Sequence, residues 1–301
     1  MRLVHFLQYC GYRSAAAVAS AAPPRLTYGL AAAAARAFFV LGLSRTRYAL
    51  TNLGIALPDR SPEEVRRVAR ASFVHFAWTL VDTMRMGGWS EDDLEERIRV
   101  VGKEHLDAAL ALGKGVILLG LHTGSFELGA PLAPRKLGPV AWYSRPLKNE
   151  FIDRRFSSIM TRTGCSLIDP RGGTGKGLGV LRSGGMVGVL NDQFIREGRG
   201  GLVVPFFGVP SCTAPGVAIL ALRSGAPVLP IYMTRDSIER HTATVEPPVE
   251  FERIGDLRSN VVTATTAFNR AYERIILRNP EQYFWMARRF RDGSDTGNDP
   301  Y

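Results

Sequence analysis

The stretch "LLGLHTGSFELG" (119–130) sets a histidine and a glutamate five positions apart at the end of an apolar run. An imidazole such as that of His122 accepts and releases a proton near neutral pH without special tuning. The residues "TGS" that follow make a tight turn, with Ser125 placed to cap a helix beginning "FELGAPL". Glu127 then falls in the first helical turn, where the helix dipole favours a carboxylate. A turn of this length can fold Glu127 back to accept the Nδ1 proton of His122. That would fix the tautomer and raise the basicity of Nε2, which then takes a proton from a hydroxyl. Backbone N–H groups at the same helix start can steady a developing oxyanion. The same spacing also suits a structural histidine held by one hydrogen bond, and spacing alone leaves both readings open.

Other chemistry-bearing residues point less clearly. Ser125 lacks the second glycine of a G-x-S-x-G elbow. "PRGGTGKGLG" (170–179) imitates a phosphate-binding loop, but Lys176 is followed by Gly177 rather than Ser or Thr, so it reads as a flexible basic loop. His5, His75, His105 and His241 have no partner at metal-ligand spacing and read as solvated or core histidines. Cys10, Cys165 and Cys212 are scattered, consistent with small buried hydrophobes in a reducing setting. Nothing in the sequence calls for a metal.

The elements that must position His122 alternate. "SPEEVRRVARASFVHFAWTLVDTMRM" (61–86) opens with Ser61, Pro62 and Glu64 as a capping box and predicts a helix. "GVILLGL" before His122 is a buried strand, "PVAWYSR" (139–145) another, "NEFIDRRFSSIMTRTG" (149–164) a helix, and "MVGVLND" (186–192) a strand that ends at Asp192. "APGVAILALRSGAPVLPIYM" (214–233) reads as helix, Gly225 cap, then strand, and 260–280 as a long helix. This alternation predicts an α/β fold, a largely parallel central sheet flanked by helices. Ligand sites in such sheets lie at the carboxyl ends of strands, which is where His122 and Asp192 fall.

Charge divides the chain. The first 58 residues carry six arginines (2, 13, 25, 36, 45 and 47) and no acid. Residues 25–47 predict one Ala/Leu-rich helix whose Arg25, Arg36 and Arg47 form a stripe at a spacing of eleven. Its apolar runs are too short to span a bilayer and fit a helix lying in a membrane interface, or one packed on the protein's own core. The start does not read as a cleavable signal peptide. The chain thus divides into a basic helical segment at 1–58, an α/β domain at 59–291, and a frayed tail at 292–301. The excess of 38 Lys+Arg over 28 Asp+Glu implies an anionic partner. No regular alternation of stacking aromatics with the arginines, as single-strand binding would require, is present, so a nucleic-acid partner is not expected.

"HTGSFE" together with "YSRPLKNEFIDRRFSSIMTRTG", "LRSGGMVGVLNDQ", "VVPFFGVPSCTAPGVAILALRSGAPVLPIY" and "NPEQYFWMARRFR" resembles, in type and order, the bacterial lipid A biosynthesis acyltransferases. These belong to the H-x4-[D/E] lysophospholipid acyltransferase superfamily, and phosphatidylinositol mannoside acyltransferases are relatives. The likeness runs from about residue 25 to 291 and departs from the family's W-x-H-R-R-F block at Ala287. It implies a glycerolipid acyltransferase-like fold, His122 as general base and Glu127 as its orienting carboxylate. Arg145 and Asp192 match positions used for substrate binding or site architecture, and Gln193 and the "PFFG" containing Phe206, Phe207 and Gly208 lie in family blocks lining the site. Arg288 and Arg289, with Arg171, Lys176, Arg196, Arg199 and Arg291, are candidates for binding a substrate phosphate or the carrier protein.

The implied reaction moves a fatty acyl group from an acyl carrier protein or coenzyme A thioester to a hydroxyl of an anionic glycolipid or phospholipid. It needs no other cofactor and no acyl-enzyme, and it occurs at the cytoplasmic face of a bacterial inner membrane. Hydrolysis of the thioester in the same site, and a non-enzymatic basic membrane-binding role, are the competing readings.

Overall fold

The computed structural model describes residues 1–196, 198, 200–291 and 300–301. Seven strands form one sheet in the order β1-β9-β8-β2-β5-β3-β4. They are β1 (Ile98–Val101), β2 (Val116–Gly120), β3 (Val140–Tyr143), β4 (Ser166–Ile168), β5 (Met186–Leu190), β8 (Val228–Ser237) and β9 (Arg240–Val245). All neighbouring pairs are parallel except β8–β9, a hairpin that turns at Glu239, where φ is +56°. A separate antiparallel ribbon joins β6 (Leu202–Phe206) to β7 (Val209–Thr213). The sequence did not betray β9, because a half-polar run such as "RHTATV" carries little periodic signal.

The central strand β2 is buried at every position, as expected of a parallel strand covered on both faces. Ile117 and Leu119 enter one core, with α4 (Pro62–Arg85), α10 (Gly216–Ser224) and α11 (Leu257–Arg278). Val116 and Leu118 enter the other, with α5 (Glu91–Arg97), α6 (Lys103–Leu110), α7 (Gly129–Lys136) and α8 (Glu150–Thr161). The predicted caps form: Ser61 accepts from the Glu64 N–H and the Glu64 carboxylate from the Ser61 N–H, while Gly225 closes α10 at φ +73°.

Three expectations are corrected. Residues 25–47 are not one helix: α2 (Pro24–Val40) and α3 (Ser44–Ala56) meet at 84°, with Gly42 at φ +64°, so Arg47 leaves the stripe of Arg25 and Arg36. The glycine-rich 170–179 stretch is not a loop throughout, since α9 (Thr174–Arg182) begins inside it. A Cβ at Gly177 would lie 2.3 Å from the Tyr143 hydroxyl, so glycine here serves close packing. Finally, Tyr301 is anchored where a frayed end was expected: its hydroxyl accepts from the N–H groups of Arg289 and Phe290 and donates to Asn52. Residues 292–299 of that tail lie outside the described residues.

The N-terminal segment shares the first core. Tyr28, Ala32, Ala35 and Phe39 of α2 pack against α4, while Leu53 and Ala49 of α3 are wholly buried. α1 (Arg2–Ala21) lies across α4 and α8.

Gly188 of β5 pairs with Trp142 of β3, and a Cβ there would sit 2.2 Å from the indole. Overpacking of this kind typically costs about 1–3 kcal/mol. Gly188→Ala is therefore expected to lower the midpoint of denaturant unfolding with an unchanged m-value.

Candidate active site

Parallel pairing sets the centre. Gly120 of β2 is in register with Leu190 of β5, and the Asn191 N–H reaches the Gly120 carbonyl at 3.4 Å. Two steps beyond that pair, His122 and Asp192 leave the sheet side by side. His122 Nδ1 lies 2.6 Å from Asp192 Oδ1, while Oδ2 accepts from the His122 backbone N–H at 3.2 Å and from Gln193 Nε2 at 3.1 Å.

Asp192 is wholly buried, whereas 25% of the His122 side chain is exposed. Burial alone would raise the Asp192 carboxyl, but the charge and hydrogen bonds of His122 outweigh it and hold it below the usual carboxylate range. Burial likewise pulls the His122 imidazole down, yet the Asp192 charge and hydrogen bond, with the Glu127 charge, carry it above 6.5. An anionic Asp192 takes the Nδ1 hydrogen and leaves the Nε2 lone pair free to accept a proton.

Asp192 therefore holds the place expected for Glu127. Glu127 sits in a single 3-10 turn at 126–128 and makes no hydrogen bond to another described residue. Burial pushes its carboxyl up to about 7 against the charge of His122, and it acts on the imidazole through charge alone. Spacing along one chain suggested a Glu127 contact, while spacing across two strands made the Asp192 one.

Every residue of the turn is tied down. The His122 carbonyl accepts from the Phe284 N–H at 3.0 Å, Thr123 bridges to Tyr283, and the Gly124 N–H donates to the Gln282 carbonyl at 3.0 Å. Thr79 Oγ1 of α4 donates to the Gly124 carbonyl at 2.8 Å. Gly124 has φ +53°, and a Cβ there would meet the Met233 carbonyl at 2.4 Å, so no other residue fits. Ser125 makes no cap: its hydroxyl points inward to Asp82 of α4 and accepts from Arg235 of β8 at 2.7 Å.

Two spaces adjoin the centre. Phe126 stands edge-on to the His122 ring at 4.7 Å and, with Leu132, Trp142, Leu190 and Met233, lines a narrow apolar crevice of about 30 Å³. An open cleft of about 430 Å³ lies between Ser44, Arg45, Tyr48, Gln193 and Arg288. Gln193 thus touches the buried carboxylate on one side and the cleft on the other.

The remaining candidates divide by burial. Arg288 is exposed in the cleft, over the Tyr48 ring at 4.7 Å, whereas Arg289 is buried, over Phe206 at 4.3 Å and bonded to Thr213. Burial keeps Arg289 from reaching a substrate phosphate and makes it a cation inside the protein that feels the Asp192 charge. Phe207 and Gly208 form the β6–β7 turn at φ +49° and +73°, with Phe207 packed on Trp285 and Phe290 rather than on the His122 ring. Arg145 is exposed after β3; Arg171 pairs with Asp169 at 2.6 Å; Lys176 and Arg196 are exposed; Arg291 lies over Phe194. Arg199 lies outside the described residues. Sequence reasoning missed Asp82 and Arg235, although an acid on the core-facing side of the 61–86 helix was a signal for the first.

The model of the family described as bacterial lipid A biosynthesis acyltransferase matches residues 3–292. The chain is 28% identical over 251 residues to a lipid A biosynthesis lauroyltransferase of Escherichia coli (strain K12), covering 82% of this chain and 79% of that enzyme. It is 27% identical over 249 residues to the lipid A biosynthesis palmitoleoyltransferase of the same organism, with the same coverage. A phosphatidylinositol mannoside acyltransferase of Mycolicibacterium smegmatis (strain ATCC 700084 / mc(2)155) is 25% identical over 227 residues, 74% of this chain and 73% of that protein.

A histidine titration followed by NMR tests the electrostatics. The His122 midpoint is expected above 6.5. In Asp192→Asn the strongest opposing charge is gone and burial prevails, so the midpoint should fall; a midpoint unmoved by this change would contradict the pairing.

Proposed function

The chain belongs to the bacterial lipid A biosynthesis acyltransferases, and on that footing we propose that it moves a fatty acyl group from a thioester to a hydroxyl of an anionic membrane glycolipid, with His122 as general base. The observation that carries the reading is the His122–Asp192 pair, which engages Nδ1 and leaves a quarter of the His122 side chain exposed, with a polar cleft at its neighbour Gln193 and an apolar crevice at its neighbour Phe126.

Nε2 takes the proton of the acceptor hydroxyl as its oxygen attacks the thioester carbonyl. The tetrahedral intermediate collapses with loss of the C–S bond, and the imidazolium returns its proton to the leaving thiolate. Asp192 stabilises the imidazolium between these steps, and the Glu127 charge adds to it. No acyl-enzyme forms. The donor is an acyl carrier protein or coenzyme A thioester, with its chain entering the Phe126 crevice as that crevice opens. The cleft between Arg45 and Arg288 suits a phosphate of the acceptor. Acyltransferases named for lipid A and for phosphatidylinositol mannoside among the relatives support an anionic glycolipid as the acceptor class.

The protein acts at the cytoplasmic face of the inner membrane as a peripheral or monotopic protein. No single helix among the described residues is long and apolar enough to cross a membrane. The bend between α2 and α3 instead turns Val40 and Leu41 outward at 70% and 69% exposure, with Phe38 and Leu43 beside them and Arg36, Arg45 and Arg47 exposed nearby. Apolar side chains rimmed by arginines suit an anionic lipid interface.

Purified protein with a labelled lauroyl thioester and candidate glycolipids tests the chemistry. His122→Ala is expected to lower transfer by about 10²–10⁴-fold, the usual contribution of a general base. The wild-type rate should rise with pH through a midpoint above 6.5, because only the neutral imidazole accepts the proton. Full transfer by His122→Ala would sink the mechanism, and acyl release at the same rate without acceptor would make the protein a thioesterase. For the membrane, Leu41→Glu should weaken sedimentation with anionic vesicles about tenfold or more, since burying one leucine is worth about 1.5–3 kcal/mol. Equal sedimentation of variant and wild type would remove the bend as the contact.

A further inference from the structure

Asp82 of α4 is wholly buried at the meeting point of four elements. Its Oδ1 accepts from the Tyr28 hydroxyl of α2, and its Oδ2 accepts from the Ser125 hydroxyl in the catalytic turn and from Arg235 Nη2 of β8. Arg235 closes the circuit by donating to Ser125 Oγ at 2.7 Å, with its guanidinium 5.4 Å from the Tyr28 ring centre and 5.6 Å from that of Trp78. His241 approaches Asp82 at 3.8 Å and is held neutral by burial, its pKa pulled down to about 4.

A second buried cluster continues from the same helix. Arg85 pairs with Glu239 at 2.6 Å and donates to the Ala19 and Ala22 carbonyls at the end of α1, while Arg97 meets Glu239 at 2.7 Å. The N-terminal helices are thus joined to the core by buried charge as well as by apolar packing.

Stability alone does not explain such a centre. Two charges taken out of water regain little over a well-packed apolar replacement, whereas an ion pair with several directional bonds defines one geometry. The directions here converge on Ser125, midway between His122 and Glu127, and on Tyr28 in the layer that carries the α2–α3 bend.

We propose that Asp82 is a positioning residue for acyl transfer: through Ser125 it sets the catalytic turn, and through Tyr28 it makes the seating of α2 part of that setting. The inference rests on the acyl-transfer reading for its rate measurements, but not for its spectroscopic one.

The test is a double-mutant cycle in the full chain on anionic vesicles. Tyr28→Phe deletes one oxygen, Ser125→Ala deletes another, and both leave the Asp82–Arg235 pair in place, avoiding the unfolding that removal of Asp82 itself invites. With a labelled lauroyl thioester, each single variant should lower kcat several-fold or more, with KM for the thioester within about twofold of wild type. The double variant should be no slower than Ser125→Ala alone, because both act through one carboxylate. Each variant should also shift the His122 NMR titration, a readout that survives if the protein transfers no acyl group. Wild-type kcat and an unmoved His122 titration in Tyr28→Phe would overturn the proposal. So would single effects on kcat that multiply independently, or losses that appear in KM alone.

Discussion

A buried hydrogen bond between an imidazole and a carboxylate is the contact on which the rest of the site depends, and it exists because two parallel strands share one register. Asp192 could not remain ionised inside the protein without partners, and His122 supplies both a ring N–H and a backbone N–H. A slip of one residue between β2 and β5 would move Asp192 to the opposite face of its strand and leave a charge among apolar side chains. The uninterrupted apolar sequence of β2, covered by helices on both faces, makes such a slip costly.

The turn that follows is held from several sides because it is short. Gly124 takes a left-handed conformation against the Met233 carbonyl, the segment at 282–284 bonds to three successive positions, and α4 contributes Thr79 and Asp82 from one face. Little freedom is left for His122 to adopt another rotamer or for Glu127 to swing toward Nδ1. Restraint of this kind lowers the entropy lost when a base must meet its substrate in one orientation.

The basic, apolar N-terminal helices present two kinds of face. Tyr28, Ala32, Ala35 and Phe39 recur at helical spacing and pack on α4, while Leu26, Leu30 and Phe38 on other faces of α2 stay exposed. Of the two readings of residues 25–47, the packing of α2 and α3 on the core bears on the first, and the exposed apolar side chains are what the proposed membrane contact would use. Only the core-facing half is visible as packing. Gly42 was the sequence signal for the break, overlooked because the Ala/Leu-rich composition reads as continuous helix on both sides of it.

The sequence by itself determined the strand before His122, the capped helix at 61–86, the Gly225 stop and the α/β alternation, because capping, periodicity and glycine conformation are local effects. It also placed His122 and Asp192 at strand ends. Tertiary structure alone decided that β5 would lie next to β2, that Asp192 rather than Glu127 would hold the imidazole, and that Arg289 would face inward while Arg288 faced out. Those outcomes depend on which strands become neighbours and which faces lose water. Both are set by the burial of the whole core, which brings together residues as far apart as 249 positions only once the chain has folded.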